Sequence, residues 1–185
     1  MEQTLREQLV EYGIKLVESG LVQGTWGNIS VRLDDKYMLT TPSGLDYTRL
    51  TAEDMVKVDI QTLKHQGKNK PTSEKELHAE IYKARPDVGC VIHTHSKYAC
   101  TFAAAQKPMP IVKEYRELLG EELHLSKYAK SGSKELTKNT AEALGENVGA
   151  IMANHGMVAV GKDLAEALKI CEKIEENGRI YLLTK

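Results

Sequence analysis

The sequence predicts an α/β protein, a layered sheet, mixed or largely antiparallel, with helices on both faces. Three observations carry this expectation. Segments with a helical apolar period alternate with short apolar runs of strand length. The alternation follows no strict βαβ repeat and contains no glycine-rich nucleotide fingerprint, which argues against an all-parallel doubly wound sheet. Finally, 185 residues without a Pro/Gly/Ser linker or a shift in composition read as one domain, 1–185, able to bury one sizeable core.

Taken in order, residues 2–19 read as a helix, with Leu5, Leu9, Tyr12 and Leu16 on one stripe and Gly20 as the stop. GNISVRL and YMLTT, either side of Asp34-Asp35, read as a hairpin, and DMVKVDI as a further strand. After the polar GKNKP loop, SEKELHAEIYKARP reads as a helix ending before Pro86. Ser73 fits the N-cap, Glu76 the N3 position of a capping box, and Pro71 the approach to it. VGCVIHTH is then a buried strand and 97–105 a helix, whereas 108–130 shows no clear period. SKELTKNTAEAL reads as a capped helix, GAIMANHG and MVAVG as strands, and DLAEALKICEKIEENGRIYLL as a long closing helix.

Composition removes several function classes. Lys and Arg total 25 against 26 Asp and Glu, scattered along the chain, so there is neither a basic stripe for nucleic acid nor an acidic tail. A small molecule is the expected partner. No stretch reaches the roughly 18 consecutive apolar residues of a membrane span, and the amphipathic MEQTLREQLVEYG lacks the apolar core of a secretory leader. A cytoplasmic protein is expected. Cys90, Cys100 and Cys171 are odd in number and match no disulfide framework or paired zinc motif. They read as small buried hydrophobes, with a redox side role left open for Cys90 beside the histidines.

The chemistry concentrates in VIHTHSKYA, residues 91–99. On a strand, residues i and i+2 share a face, so His93 and His95 can converge on one atom while Thr94 points away. An HxH pair alone is more often a solvated strand end. GAIMANHG, however, ends a second apolar run in His155, and three neutral imidazoles form a half-shell that leaves metal positions open for substrate. His155 alone also fits a satisfied core histidine, and its distance along the chain does not establish that it meets the pair. Glu74 follows the cap of the KPTSEKELH helix on the stripe of Leu77, Ile81 and Tyr82, where a carboxylate directed at a metal would be a general base. Thr72 and Ser73 add hydroxyls to a helix N-terminus, a site for a phosphate dianion. GTWGNIS and TTPSG add two glycine turns bearing Thr25 and Asn28, and Ser43 and Gly44. With TSE they make three neutral donor clusters, suited to a small phosphate ester held without arginine.

GTWGNIS, TTPSGLDY, KPTSEKELH, RPDVGCVIHTHS and NHGMVAVG, in this order and at about these separations, resemble the class II aldolase/adducin head family from about residue 5 onward. Within the family the motifs are most similar to those of the L-fuculose-phosphate aldolases, and TWGN and PSGLDY also resemble the L-ribulose-5-phosphate 4-epimerases. The resemblance implies a three-layer α/β/α domain around a mixed, mostly antiparallel sheet, assembled as a homotetramer with active sites between subunits. It implies that His93, His95 and His155 bind one divalent metal, zinc by preference with manganese or cobalt as alternatives, and that Glu74 is the acid/base. The family's phosphate pocket matches Thr25, Asn28, Ser43, Gly44, Thr72 and Ser73. The implied reaction is reversible cleavage of a ketose 1-phosphate to dihydroxyacetone phosphate and an aldehyde.

Two departures stand out. A catalytic tyrosine donated by the neighbouring subunit falls in VKEYRELLG, where counting from the HxH pair lands on Glu114, next to Tyr115. The aldolases also continue past the last helix into a tail with a second tyrosine, whereas this sequence stops at YLLTK, from which a different aldehyde preference is expected. The alternatives are an epimerase, or a related dehydratase or decarboxylase. Glu74 favours the aldolase, since the family's epimerases carry aspartate there. A non-catalytic adducin-like module is disfavoured because all three histidines remain beside Glu74.

Overall fold

The computed structural model describes residues 1–184. The helices are α1 (Glu2–Glu18), α2 (Lys75–Ala84), α3 (Lys97–Ala105), α4 (Arg116–Leu119), α5 (Lys134–Leu144) and α6 (Leu164–Leu183). The strands are β1 (Gly27–Arg32), β2 (Tyr37–Thr40), β3 (Val56–Asp59), β4 (His65–Gln66), β5 (Cys90–Thr94), β6 (Met109–Pro110), β7 (Glu122–Leu123), β8 (Gly149–Met152) and β9 (Gly156–Gly161). Seven strands form one sheet in the order β4-β3-β2-β1-β5-β9-β8, and β6 pairs separately with β7.

The sheet is antiparallel at every strand pair described. This agrees with the expected mostly antiparallel sheet, a parallel contact occurring among the described residues only as the isolated Leu125–Ile151 bridge. The physical reason lies in the connections. β1–β2 and β8–β9 are tight hairpins, which join antiparallel neighbours directly, and β5 enters between β1 and β9 running opposite to both.

Side-chain alternation divides the core in two. Ile29 and Val31 of β1, Cys90 and Ile92 of β5 and Met157 and Ala159 of β9 pack with Leu9 and Leu16 of α1 and Ile170 and Ile174 of α6. On the other face, Val91, Val158 and Val160 pack with Leu77, Ile81 and Tyr82 of α2 and Leu136 and Leu144 of α5. This is the three-layer arrangement. Cys90 and Cys171 are fully buried, and burial pushes both thiols up. Cys90 faces the α1/α6 layer, whereas its strand neighbours Val91 and His93 alternate to the other face. A redox role for it beside the histidines loses its geometric basis.

The element boundaries near the candidate residues differ from the expected ones in an instructive way. α2 begins at Lys75 with Glu74, not Ser73, in the cap position and no side-chain cap bond. Thr72 organises this turn instead: its Oγ1 accepts from the Glu74 amide at 3.3 Å and its carbonyl from the Lys75 amide at 3.2 Å. β5 ends at Thr94, so His95 is the first residue beyond it. β8 stops at Met152, and Ala153, Asn154 and His155 form the hairpin loop to β9. Asn154 adopts φ 54°, a left-handed conformation that asparagine tolerates. His155 therefore sits in a tight turn rather than at a strand end. The illegible 108–130 segment contains only the β6–β7 pair, a 3₁₀ turn at Lys113–Tyr115 and the one-turn α4. Pieces this short carry too few residues to show a period. No helix among the described residues is long and apolar enough to cross a membrane.

Candidate metal and catalytic centre

The centre is built where β1, β5 and the β8–β9 hairpin meet the N-terminal end of α2. On β1 the residues alternating with Ile29 and Val31 are Asn28 and Ser30, which turn toward α2. On α2 the residues one turn apart are Glu74, His78 and Tyr82. The two rows interdigitate. Asn28 lies between Glu74 and His78, and Ser30 lies between His78 and Tyr82.

His93, on the same sheet face, meets His95 and His155, the donor nitrogens of the three lying within 4.8 Å of one another. The ring centroids are 4.8 Å to 4.9 Å apart. Gly156 makes this approach possible: a Cβ there would collide with the Thr94 carbonyl and crowd the rings of His93 and His95. His93 Nδ1 donates to the Met157 carbonyl at 2.8 Å, so in the neutral ring Nε2 carries only a lone pair. Burial lowers the His93 pKa, which keeps the ring neutral. Burial, reinforced by His93 and His155, likewise lowers His95 to about 4.

That lone pair is confronted by Nε2 of His95 at 2.8 Å and by Oε2 of Glu74 at 3.2 Å. A buried acceptor facing a carboxylate is unfavourable unless a cation lies between them. Three imidazole nitrogens converging beside a carboxylate are the donor set that a divalent metal completes. The residues present fit such an ion.

Glu74 is buried and ionised. Burial works to raise its pKa, but the imidazoles of His93 and His155 and the Asn28 donor outweigh it and hold the carboxyl well below the usual range. Its Oε1 lies 3.0 Å from His155 Nε2, and its Oε2 accepts from Asn28 Nδ2 at 2.9 Å. One carboxylate therefore borders two of the three candidate ligands.

A cavity of about 160 Å³ opens beside this cluster, lined by Thr25, Asn28, Ser43, Gly44, Thr72, Ser73, Glu74, His95 and His155. All six phosphate-pocket candidates thus meet at one cavity, and among the described residues no Lys or Arg lines it. Asn28 differs from the others because its carboxamide is engaged at both ends. Trp26 and Ser131, not singled out from the sequence, also line the cavity. The Trp26 ring lies 6.3 Å from that of His95 and is 63% exposed, at the rim. Its place in GTWGN was a usable signal; Ser131, in a loop of no recognisable pattern, offered none.

The structure does not bring Tyr115 into this centre. It packs beside α6, with Lys173 Nζ 5.2 Å from its ring centroid, and does not line the cavity of its own chain. His78 was also missed as a site component, although the spacing of Glu74, His78 and Tyr82 with Asn28 and Ser30 on alternate strand positions was legible.

His78 gives the fold a measurable acid sensitivity. Its ring is fully buried, and burial, against the opposing Glu74 charge, lowers its pKa from 6.5 to about 3. Between those values the unfolded chain binds a proton that the folded chain does not, so stability is complete above pH 6.5 and falls as pH drops toward 3. By pH 5 this amounts to roughly 2 kcal/mol. Urea midpoints with chelator present are expected to fall between pH 7 and pH 5, and less so in His78→Gln. Equal slopes in the two proteins would refute the assignment.

Comparison with known proteins adds four findings. The family model for the Class II Aldolase and Adducin N-terminal domain matches residues 7–182. The chain is 34% identical over 181 residues to a 5-deoxy-D-ribulose 1-phosphate aldolase of Bacillus thuringiensis, covering 97% of this chain and 85% of that one. It is 34% identical over 178 residues to a 5-methylthioribulose-1-phosphate/5-deoxyribulose-1-phosphate aldolase of Rhodospirillum rubrum, covering 96% and 80%. A solved L-fuculose 1-phosphate aldolase superposes with a TM-score of 0.92 at 35% identity, covering 97% of this chain and 85% of that one.

Proposed function

The chain belongs to the class II aldolase and adducin N-terminal domain family, and on that premise we propose that it is a metal-dependent aldolase cleaving a ketose 1-phosphate to dihydroxyacetone phosphate and an aldehyde. The observation that carries this reading is the meeting of three imidazoles and an ionised glutamate at one end of a hydroxyl-lined cavity. The substrate is L-fuculose 1-phosphate or a related deoxyketose phosphate, in keeping with the names of the relatives.

In this reading His93, His95 and His155 hold one divalent ion, zinc in the first place with manganese or cobalt also suited to these ligands. Once bound, the ion supplies Lewis-acid polarisation of the substrate's ketone and adjacent hydroxyl oxygens. Thr25, Ser43, Gly44, Thr72 and Ser73 hold the phosphate through neutral donors, aided by the N-terminal end of α2. Asn28, already bonded to Glu74, borders the same pocket. In the condensation direction the Glu74 carboxylate takes the proton from the carbon of dihydroxyacetone phosphate that forms the new bond, and cleavage returns it.

Tyr115 takes part only if a neighbouring subunit carries it to the site, which agrees with a homotetramer having interfacial active sites. The whole chain, 1–185, acts as one cytoplasmic domain, with no nucleic acid or membrane as partner.

Incubation with L-fuculose 1-phosphate, 5-deoxyribulose 1-phosphate, 5-methylthioribulose 1-phosphate and L-ribulose 5-phosphate tests the reading. Dihydroxyacetone phosphate is expected from at least one ketose 1-phosphate. Its absence from all would refute the aldolase, and D-xylulose 5-phosphate from the last substrate would establish the epimerase alternative.

A further inference from the structure

Behind Glu74 lies a buried chain of polar groups that the reaction as proposed does not use. Ser30 Oγ lies 2.9 Å from the Tyr82 hydroxyl and 2.6 Å from His78 Nδ1. His78 Nε2 contacts Asn28 Oδ1, and Asn28 Nδ2 reaches Glu74 Oε2 at 2.9 Å. Ser30 and His78 are wholly buried, with Tyr82 1% and Asn28 6% exposed, so water supplies little of the bonding.

The hydrogen positions follow from one end. Glu74 is a carboxylate and only accepts, so the Asn28 NH₂ faces it. The opposite orientation would set the amide oxygen against the carboxylate. Asn28 Oδ1 therefore faces His78 and accepts from Nε2–H. A neutral imidazole with its hydrogen on Nε2 has an acceptor at Nδ1, which the Ser30 hydroxyl fills as donor. Ser30 Oγ is then left to accept from the Tyr82 hydroxyl, whose proton is secure because burial raises its pKa well above 10. Each link of the chain pairs one donor with one acceptor, and the polarity runs in one direction from Tyr82 to Glu74.

We infer that His78 is a positioning residue for Glu74, acting through Asn28, whose carboxamide it locks so that an N–H always faces the carboxylate. The inference rests on Glu74 being the proton-transfer group. Without the His78 lock the amide can rotate or drift, and Glu74 loses the one neutral donor that fixes its Oε2 relative to the candidate ligands. The metal-binding imidazoles contact neither His78 nor Ser30 through any hydrogen bond described, so metal binding is expected to survive when the lock is removed.

The test combines kinetics, metal content and NMR on the full-length metal-loaded protein. His78→Phe keeps an aromatic ring but no donor, and is expected to lower kcat roughly 10- to 100-fold, with KM within about twofold and metal stoichiometry unchanged. His78→Gln restores an N–H near the Nε2 position and is expected to recover most of kcat. In the wild type the ring ¹⁵N shifts of His78 are expected to show a protonated Nε2 and an acceptor Nδ1, a measurement that requires no turnover. A wild type inactive on all the ketose phosphates would end the proposed function and, with it, the positioning role assigned to His78. The NMR result would then still decide the hydrogen-bond order. A protonated Nδ1, a folded His78→Phe protein with wild-type kcat, or a His78→Gln protein no better than His78→Phe would each overturn the inference. Should His78→Phe not fold, Ser30→Ala takes its place: loss of the Nε2–H preference together with a lower kcat supports the chain, and wild-type values of both refute it.

Discussion

His93→Ala is expected to yield protein without a stoichiometric divalent ion and with turnover lowered roughly 10³-fold or more, the loss of a Lewis acid worth several kcal/mol. The size of the effect follows from geometry. His93 is the fully buried member of the trio, its Nδ1 is tied to the Met157 carbonyl, and its Nε2 meets both His95 and Glu74. Its removal leaves only two of the three converging imidazole donors. Because truncating a buried ring also opens a cavity, His95→Ala serves as companion: His95 is only partly buried and lies outside the strand, so its loss costs less folding stability while removing the same kind of donor. Thr94→Val is the control. Thr94 alternates away from the cluster, and its side chain makes only a 3.3 Å contact to Ser96. Metal content by mass spectrometry, turnover and a thermal melt on each variant separate a lost ligand from a lost fold. Full metal and full activity in His93→Ala would show that the imidazoles are not ligands.

Much of this centre was legible because its chemistry uses residue types that a core otherwise avoids. Two histidines after VGCVI, a third after GAIMAN and a glutamate on the apolar stripe of a helix each break a hydrophobic pattern, and the breaks coincide in space. What periodicity does not reveal is where a strand gives way to a turn. GAIMAN has the apolar content of a continuing strand, but β8 stops at Met152 because β9 must fold back at once, and the left-handed Asn154 makes that three-residue loop possible. The same difficulty moved the start of α2. Thr72, Ser73 and Glu74 are all acceptable near a helix start, and which one caps depends on how the approach from β4 is tied to the segment after β2, through the Pro42–Pro71 bridge and the bond from the Thr72 amide to the Thr41 carbonyl. That information is tertiary. His78 was overlooked for a different reason. A histidine on the inner face of a helix reads as a satisfied core residue, which it is, and only the identity of its partner shows what the satisfaction accomplishes.

Glu74→Gln separates proton transfer from metal binding more cleanly than any other change. The amide has the carboxylate's shape and, once truncation is avoided, no cavity forms. Its oxygen can still accept from Asn28, so the buried chain behind it stays bonded. The three imidazoles are untouched, and metal is expected to remain at the wild-type stoichiometry. What is lost is the charge and the basic oxygen beside His93 and His155. A neutral amide does not accept a proton from carbon at neutral pH, so turnover is expected to fall by roughly 10²- to 10⁴-fold while KM changes little. The contacts that hold the Glu74 carboxyl below its usual range also favour the charged form in the fold, so the variant is expected to melt somewhat below the wild type while remaining folded. The measurement is metal content, melting temperature and kcat on one preparation. Wild-type turnover with the ion in place would remove Glu74 from the proton-transfer step, whereas loss of the ion together with activity would make Glu74 a ligand and move the base elsewhere.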